Sequence, residues 1–191
     1  ISRGRLELKR AVVRVKDVIV AALESTSSVI EARNHELSVN IEDESVQVDG
    51  DPTRLAQIVA NLVSNAAKYT EPGGRISLSL KRDAGECVIT VADNGIGIPA
   101  QALGQLFEMF SQVRVHQQHA EAGLGIGLSV VKTLVQMHGG RVSAHSDGPG
   151  AGSTFVVRLR VVLQRVQEVA ASADATTQYV HAEKILVVDD N

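Results

Sequence analysis

Residues 93–99, with the sequence DNGIGIP, constrain the fold of this chain more than any other stretch. They follow an apolar run, residues 87–92, that predicts a β-strand ending in the carboxylate of Asp93. Two glycines separated by one residue, Gly95 and Gly97, let the backbone turn sharply and approach another group closely. The sequence therefore predicts a strand that delivers Asp93 to a tight turn at one end of a sheet.

An amphipathic helix is predicted upstream of this turn, starting at Asp51 and Pro52. Aspartate can accept hydrogen bonds from the free N–H groups of a helix start, and proline is pre-set for the first helical position. Asn61, Asn65 and Lys68 are spaced i, i+4 and i+7, so they share one face. The apolar positions expected in the core are Leu55, Ile58, Val59, Leu62, Val63 and Ala66. Such a polar stripe is most often a plain solvated surface, unless its neighbours give it a ligand.

A second glycine cluster, Gly123, Gly125 and Gly127, precedes a helical pattern that begins at Leu128. Backbone N–H groups of a glycine turn and of a helix start suit a polyphosphate. Residues 111–122 are polar without apolar periodicity, which is typical of a mobile lid. Two glycine turns and an asparagine-bearing helix make a nucleotide site the leading hypothesis.

Composition excludes several other classes of function. The net charge of −3, the aromatic content of 3% and the absence of Trp argue against a nucleic acid partner. The apolar runs fall short of the ~20 residues that a transmembrane helix needs, so we expect no membrane segment and a cytoplasmic location. The single cysteine, Cys87, rules out disulfide frameworks and zinc clusters.

Periodicity and turn residues predict the remaining elements. The predicted strands lie around Leu6 and Leu8 and at 37–41, 46–48, 76–80, 87–93, 141–146 and 153–161, and the predicted helices start near Lys16, Asp51, Pro99 and Leu128. Residues 163–183 are predicted to be a linker, and residues 184–191 look like the first strand of a further domain.

Several boxes in order give residues 5–161 a specific resemblance to the catalytic ATP-binding domain of sensor histidine kinases. This domain belongs to the GHKL superfamily, shared with heat-shock chaperones, type II topoisomerases and mismatch-repair ATPases. Residues 61–70 match the asparagine box, 93–99 the first glycine box, 107–110 the phenylalanine box, 123–128 the second glycine box and 152–154 the closing strand motif. The phenylalanine box departs from the pattern at Met109, where a proline is usual.

The resemblance implies a Bergerat-type α/β (α+β) two-layer sandwich, a mixed sheet of about five strands with three helices on one face. It implies ATP and Mg²⁺ as ligands, and transfer of the γ-phosphoryl group to a histidine.

The resemblance also implies a role for each site residue. Asp93 would accept a hydrogen bond from the exocyclic amine of adenine, with support from Thr154. Asn65 would bind Mg²⁺, and Lys68 would contact phosphate. Asn61 stands where the hydrolases carry a glutamate that polarises water, so attack by water should be slow. Arg114 is the lid's sole Lys or Arg and a candidate γ-phosphate clamp.

The expected catalytic residues are Asn61, Lys68 and Arg114, and the expected metal ligand is Asn65. The expected cofactor-binding residues are Asn61, Asn65, Lys68, Tyr69, Asp93, Gly95, Gly97, Ile98, Gly123, Leu124, Gly125, Gly127, Leu128 and Thr154.

The histidines offer no acceptor for phosphate. His35 leads straight into an alternating strand, whereas the family's acceptor lies on a separate upstream helical hairpin. His116 and His119 are too few for a metal site, and His138 and His145 are expected to be structural. His181 falls in the linker.

We therefore expect a piece of a longer hybrid kinase. Residues 1–15 would be the exit of the dimerisation hairpin and a short first strand, 16–162 the catalytic domain, and 184–191 the start of a receiver domain with Asp189 and Asp190 as its acidic pair. Its partners would be the helical domain and the receiver domain. The alternatives are an ATP-hydrolysing relative, which Asn61 disfavours, and a nucleotide-binding or docking module without catalysis.

Overall fold

The computed structural model describes residues 7–108 and 126–162. In chain order the elements are β1 (Ala11–Arg14), α1 (Val15–Ala32), β2 (Glu36–Ile41), β3 (Gln47–Gly50), α2 (Pro52–Tyr69), β4 (Arg75–Asp83), β5 (Glu86–Asp93), α3 (Ala100–Leu103), α4 (Gly127–Met137), β6 (Arg141–His145) and β7 (Ser153–Arg160). The predictions for Met109, the lid, the linker and the receiver strand lie outside the described residues. Within the described ranges, no helix is long and apolar enough to cross a membrane.

Five strands form the main sheet in the order β2-β4-β5-β7-β6. β2 and β4 are parallel, and the other neighbours are antiparallel. One face of the sheet is apolar because side chains alternate along each strand: Ile76, Leu78 and Leu80 are buried. These residues share a core with α1, α2 and α4. The mixed five-stranded sheet and two-layer sandwich confirm the predicted fold.

A separate two-stranded sheet pairs β1 with β3. The sequence predicted the first strand around Leu6 and Leu8, and this placement is wrong for Leu8, which precedes the strand. The strand forms at Ala11–Arg14 because there it can pair with Gln47–Gly50 and lead directly into α1. Alternation of apolar residues alone did not reveal this long-range partner.

Helix α2 begins as its sequence predicted. The Asp51 carboxylate accepts a hydrogen bond from the Arg54 N–H over 3.1 Å, and Pro52 occupies the first helical position. All six residues expected in the core are buried. This helix therefore packs its apolar face on the sheet and leaves its polar stripe on the opposite side.

A buried histidine joins the start of α2 to the end of α4. His138 Nε2 accepts a hydrogen bond from the Asp51 N–H over 3.0 Å, so its Nδ1–H donates to the Leu134 carbonyl over 2.7 Å. Nearby, the Arg10 guanidinium donates to the Met137 carbonyl over 2.7 Å. His138 is thus structural, as predicted, and it fixes α2 and α4 relative to each other.

Candidate functional site

Asp93 stands at the end of β5 with both carboxylate oxygens engaged. Oδ1 accepts a hydrogen bond from the Gly95 N–H over 2.8 Å, and Oδ2 accepts one from the Ser153 hydroxyl over 2.6 Å. Asp93 has the same strand parity as the buried Ile89 and Val91, so its side chain lies on the helical side of the sheet. The two donors fix the carboxylate in one orientation, with lone pairs left to accept a further hydrogen bond.

The hydroxyl on Asp93 belongs to Ser153, which sequence reasoning missed. Ser153 is the direct partner of Asp93 in the β5–β7 register, and Thr154 is the partner of Ala92. Because successive side chains alternate, Thr154 lies on the face of the sheet away from the helices. The expectation that Thr154 supports Asp93 is therefore corrected: the supporting hydroxyl is that of Ser153. The signal was available in the parity of β7, since Ser153 shares its face with the apolar Phe155 and Val157.

The first glycine turn is docked on the end of α2. The Ile96 N–H donates a hydrogen bond to the Tyr69 carbonyl over 3.0 Å. A Cβ atom at Gly95 would collide with that same carbonyl, so only glycine allows this approach. Tyr69 thereby links the last turn of α2 to the turn that carries Asp93.

The loop between β6 and β7 supports the same turn from the other side, a contact that the sequence did not predict. The Gly150 N–H donates to the Ile96 carbonyl over 2.7 Å, and the Ile98 N–H donates to the Ser146 hydroxyl oxygen over 3.0 Å. Gly97 has a φ of +69°, and a Cβ atom there would meet the Gly148 carbonyl. These contacts fix Gly97 and Ile98 in place.

The polar stripe of α2 meets the beginning of α4 at Asn61. Asn61, Asn65 and Lys68 are each half-buried. The nearest atom to a Cβ built on Gly127 is Asn61 Oδ1, at 4.0 Å. Lys68 places its ammonium group 5.2 Å from the centre of the Tyr69 ring, within cation–π range. The structure thus brings Asn61 next to the start of α4, and it places Lys68 against Tyr69 at the end of α2.

Helix α4 opens at Gly127 without a side-chain cap from Ile126. Its first N–H groups therefore carry the partial positive charge of a helix start and suit an anion. Leu128 is half-buried in this first turn. Gly123, Leu124, Gly125 and Arg114 lie outside the described residues.

The donor set near Asn65 fits Mg²⁺ only together with a phosphate ligand. Within residues 7–108 and 126–162, no group of three or more His, Cys, Asp or Glu side chains could hold a metal ion. An amide oxygen is a hard donor of the kind that Mg²⁺ accepts, and this ion usually takes its remaining ligands from phosphates and water. The described residues therefore fit a magnesium ion that arrives with a nucleotide.

Comparison with known proteins places this geometry in a family. The family model for histidine kinase-, DNA gyrase B- and HSP90-like ATPases matches residues 50–163, more than half of the chain. The sensor protein DivL of Caulobacter vibrioides is 36% identical over 159 residues, which cover 83% of this chain and 20% of DivL. The chain therefore spans about a fifth of the length of this relative.

Solved structures agree with the sequence relatives. The mycobacterial sensor histidine kinase MprB superposes with a TM-score of 0.68 at 31% identity, over 80% of this chain and 97% of the MprB chain. Full-length ShkA in complex with AMPPNP superposes with a TM-score of 0.70 at 26% identity, over 82% of this chain and 32% of ShkA. The chain belongs to the histidine kinase-, DNA gyrase B- and HSP90-like ATPase family, as a catalytic ATP-binding domain of the sensor histidine kinase type.

Proposed function

We propose that this domain binds Mg-ATP and transfers the γ-phosphoryl group to a histidine on a helical hairpin of the same kinase. The observation that carries the proposal is the Asp93 carboxylate, held by the Gly95 N–H and the Ser153 hydroxyl on the helical side of the sheet. Its free lone pairs can accept a hydrogen bond from the exocyclic amine of adenine. Guanine has a carbonyl at that ring position, and a carbonyl cannot donate to the carboxylate. The ShkA structure with AMPPNP supports a nucleotide in this fold.

The phosphates would lie between the polar stripe of α2 and the start of α4. Lys68 would supply a point charge to phosphate oxygens, and the N–H groups at Gly127 and Leu128 would donate hydrogen bonds to them. Asn65 would hold Mg²⁺, which supplies charge neutralisation on the phosphates when bound. Gly123, Leu124 and Gly125 extend the same proposal beyond the described residues.

Phosphoryl transfer needs an acceptor better placed than water. In the proposed step the bond from the γ-phosphorus to the β,γ-bridging oxygen breaks, a bond to a histidine ring nitrogen forms, and ADP leaves. Asn61 is a neutral amide and a poor general base, so it preserves the phosphoryl group from hydrolysis. The residues of this chain would act by positioning and by charge stabilisation.

Arg114 completes the proposal as a clamp on the γ-phosphate, although it lies outside the described residues. Replacing Arg114 with alanine should slow transfer and leave ADP binding unchanged. Unchanged transfer would remove Arg114 from the mechanism.

The proposed partners follow from the proposed reaction. The acceptor histidine would come from the dimerisation hairpin, and a receiver domain starting at residues 184–191 would take the phosphoryl group onward to an aspartate. We propose a cytoplasmic location for this domain, where ATP is available.

The experiment is a titration with ATP, with and without Mg²⁺, on the wild-type domain, Asp93→Asn and the control Asp17→Asn. Asp17 is an exposed carboxylate on α1, paired with Arg14. We expect magnesium-enhanced binding that Asp93→Asn weakens at least tenfold and Asp17→Asn leaves unchanged. Equal affinity of all three proteins, or no binding by the wild type at millimolar ATP, would contradict the proposal.

A second assay separates transfer from its two alternatives. With the helical hairpin restored, a histidine kinase should yield acid-labile, base-stable phosphate on protein. Steady release of inorganic phosphate would instead favour a hydrolase, and ATP binding with neither product would favour a docking module.

A further inference from the structure

The last turn of α2 is capped by donors from two other parts of the chain. A helix leaves its final four carbonyl groups without partners inside the helix. Here the Ala67 carbonyl accepts a hydrogen bond from His35 Nε2 over 2.9 Å, and the Lys68 carbonyl accepts one from the Arg33 guanidinium over 3.2 Å. The next carbonyl, that of Tyr69, accepts from the Ile96 N–H. Three consecutive carbonyls are thus held by tertiary contacts.

His35 is fixed in place by the corner between α1 and β2. Asn34 adopts a φ of +54°, which asparagine tolerates, and the His35 N–H donates to the Ile30 carbonyl over 3.0 Å. On the other side, the Glu36 N–H donates to the Gly74 carbonyl over 2.9 Å. The histidine is only 8% exposed, so its ring is enclosed by protein at the helix end.

The hydrogen bonding of the imidazole ring shows which of its two nitrogens interacts with the helix. A carbonyl oxygen can only accept, so Nε2 must carry the hydrogen that it donates to Ala67. Nδ1 is buried, and within the described residues it has no hydrogen-bond partner. Leaving a buried polar atom unpaired is unfavourable, and an apolar side chain would pack here without that cost. The polar interaction that His35 contributes is therefore the hydrogen bond that its Nε2–H donates to the Ala67 carbonyl at the helix end.

We propose that His35 is a positioning residue of the nucleotide site, acting through the last turn of α2. This turn carries Lys68 and Tyr69, and the Tyr69 carbonyl holds the turn that presents Asp93. A donor at Ala67 thus fixes the phosphate-facing and the adenine-facing parts of the site relative to each other. The inference rests on the proposed function for its effect on ATP, but its effect on the helix end is measurable without nucleotide.

The test compares His35→Leu, which keeps the bulk and removes the donor, with His35→Gln, whose amide can donate in place of Nε2. The matched control is His138→Leu, because His138 is also buried and also bonded to the backbone of α2, at Asp51. It lies at the opposite end of this 18-residue helix, about 25 Å from Tyr69. Each variant is examined by amide hydrogen exchange without nucleotide and by titration with Mg-ATP.

We expect His35→Leu to speed exchange of the Ile96 N–H and the last turn of α2, and to weaken ATP about fivefold, the effect of one hydrogen bond. His35→Gln should restore both, and His138→Leu should change neither, although it lowers the melting temperature. Unchanged exchange at Ile96 in His35→Leu overturns the inference, whether or not the wild type binds ATP. Absence of ATP binding by the wild type overturns the proposed function. Changed exchange with wild-type ATP affinity, or an equal loss of affinity in His138→Leu, overturns it too.

Discussion

The Ser153 hydroxyl donates a hydrogen bond to Asp93 Oδ2 over 2.6 Å, between directly paired residues of β5 and β7. The neighbouring hydroxyl of Thr154 lies on the opposite face of the same sheet. The two hydroxyl groups are adjacent in sequence, but they lie on opposite faces because side chains alternate along a strand. This relationship gives the proposed adenine site an internal control.

Ser153→Ala should weaken ATP binding about tenfold, because a hydrogen bond to a charged group contributes about 1.5–3 kcal/mol and Asp93 would lose its fixed orientation. Thr154→Val also removes a hydroxyl group, but from the other face, and should leave the affinity within a factor of two. Isothermal titration of both variants with Mg-ATP is the measurement. A larger loss in Thr154→Val than in Ser153→Ala would show that the face assignment is wrong.

Gly95→Ala should destabilise the domain by about 1–3 kcal/mol, since a Cβ atom there overlaps the Tyr69 carbonyl and forces the turn away from α2. Gly104→Ala is the matched control. Gly104 is in the right-handed helical region with open space around its Cα, so alanine fits there without strain. Urea unfolding followed by circular dichroism gives both free energies of unfolding. Equal stability of the two variants would contradict the docking of the turn on α2.

A carboxylate at the start of the central strand β5 should make stability depend on pH. A bidentate hydrogen bond from Arg141, assisted by Arg158, holds the pKa of Glu86 below its usual value. Because the folded pKa is lowered, this stabilisation is present above the unfolded-state pKa of about 4.3 and is lost as the pH falls through the folded pKa.

The measurement is the melting temperature of the wild type, Glu86→Gln and the control Glu36→Gln between pH 3 and pH 7. The difference between wild type and Glu86→Gln should be small, largest near neutral pH, and reduced by salt because Arg141 is exposed and Glu86 is only half-buried. Glu36 is exposed on β2, and its replacement should preserve the wild-type profile. A difference that grows as the pH falls would have the wrong sign.

Cys87 should report on unfolding because its thiol is buried and unreactive. Burial raises the pKa of the Cys87 thiol to about 12, and the thiolate is the reactive form. In the folded domain at pH 8, a thiol reagent should label Cys87 no faster than the protein opens. Labelling in urea should proceed at the rate of a free thiol. Rapid labelling of the native protein would show that the inner face of β5 is open to solvent.

Local patterns in the sequence determined the order of the boxes and the elements other than the first strand. The spacing of Leu55, Ile58 and Leu62 predicted the buried face of α2, because a helix repeats every 3.6 residues wherever it lies in the fold. Asp51 and Pro52 predicted its start, since capping depends on neighbouring residues alone. Asp93 and the glycines at 95 and 97 predicted a strand that ends in a sharp turn.

Only the tertiary structure decided which side chains meet. The pairing of β1 with β3, the choice of Ser153 over Thr154 and the cap that His35 gives to Ala67 all join residues far apart in the chain. The sequence identified His35 merely as an improbable phosphate acceptor, because the end of α2 lies more than 30 residues away. Propensity and periodicity act over a few residues, whereas register and tertiary hydrogen bonds depend on where distant backbone groups come to lie. The sequence by itself therefore determined the family and the parts of the site, and the packing of α2 against its neighbours decided how those parts are held.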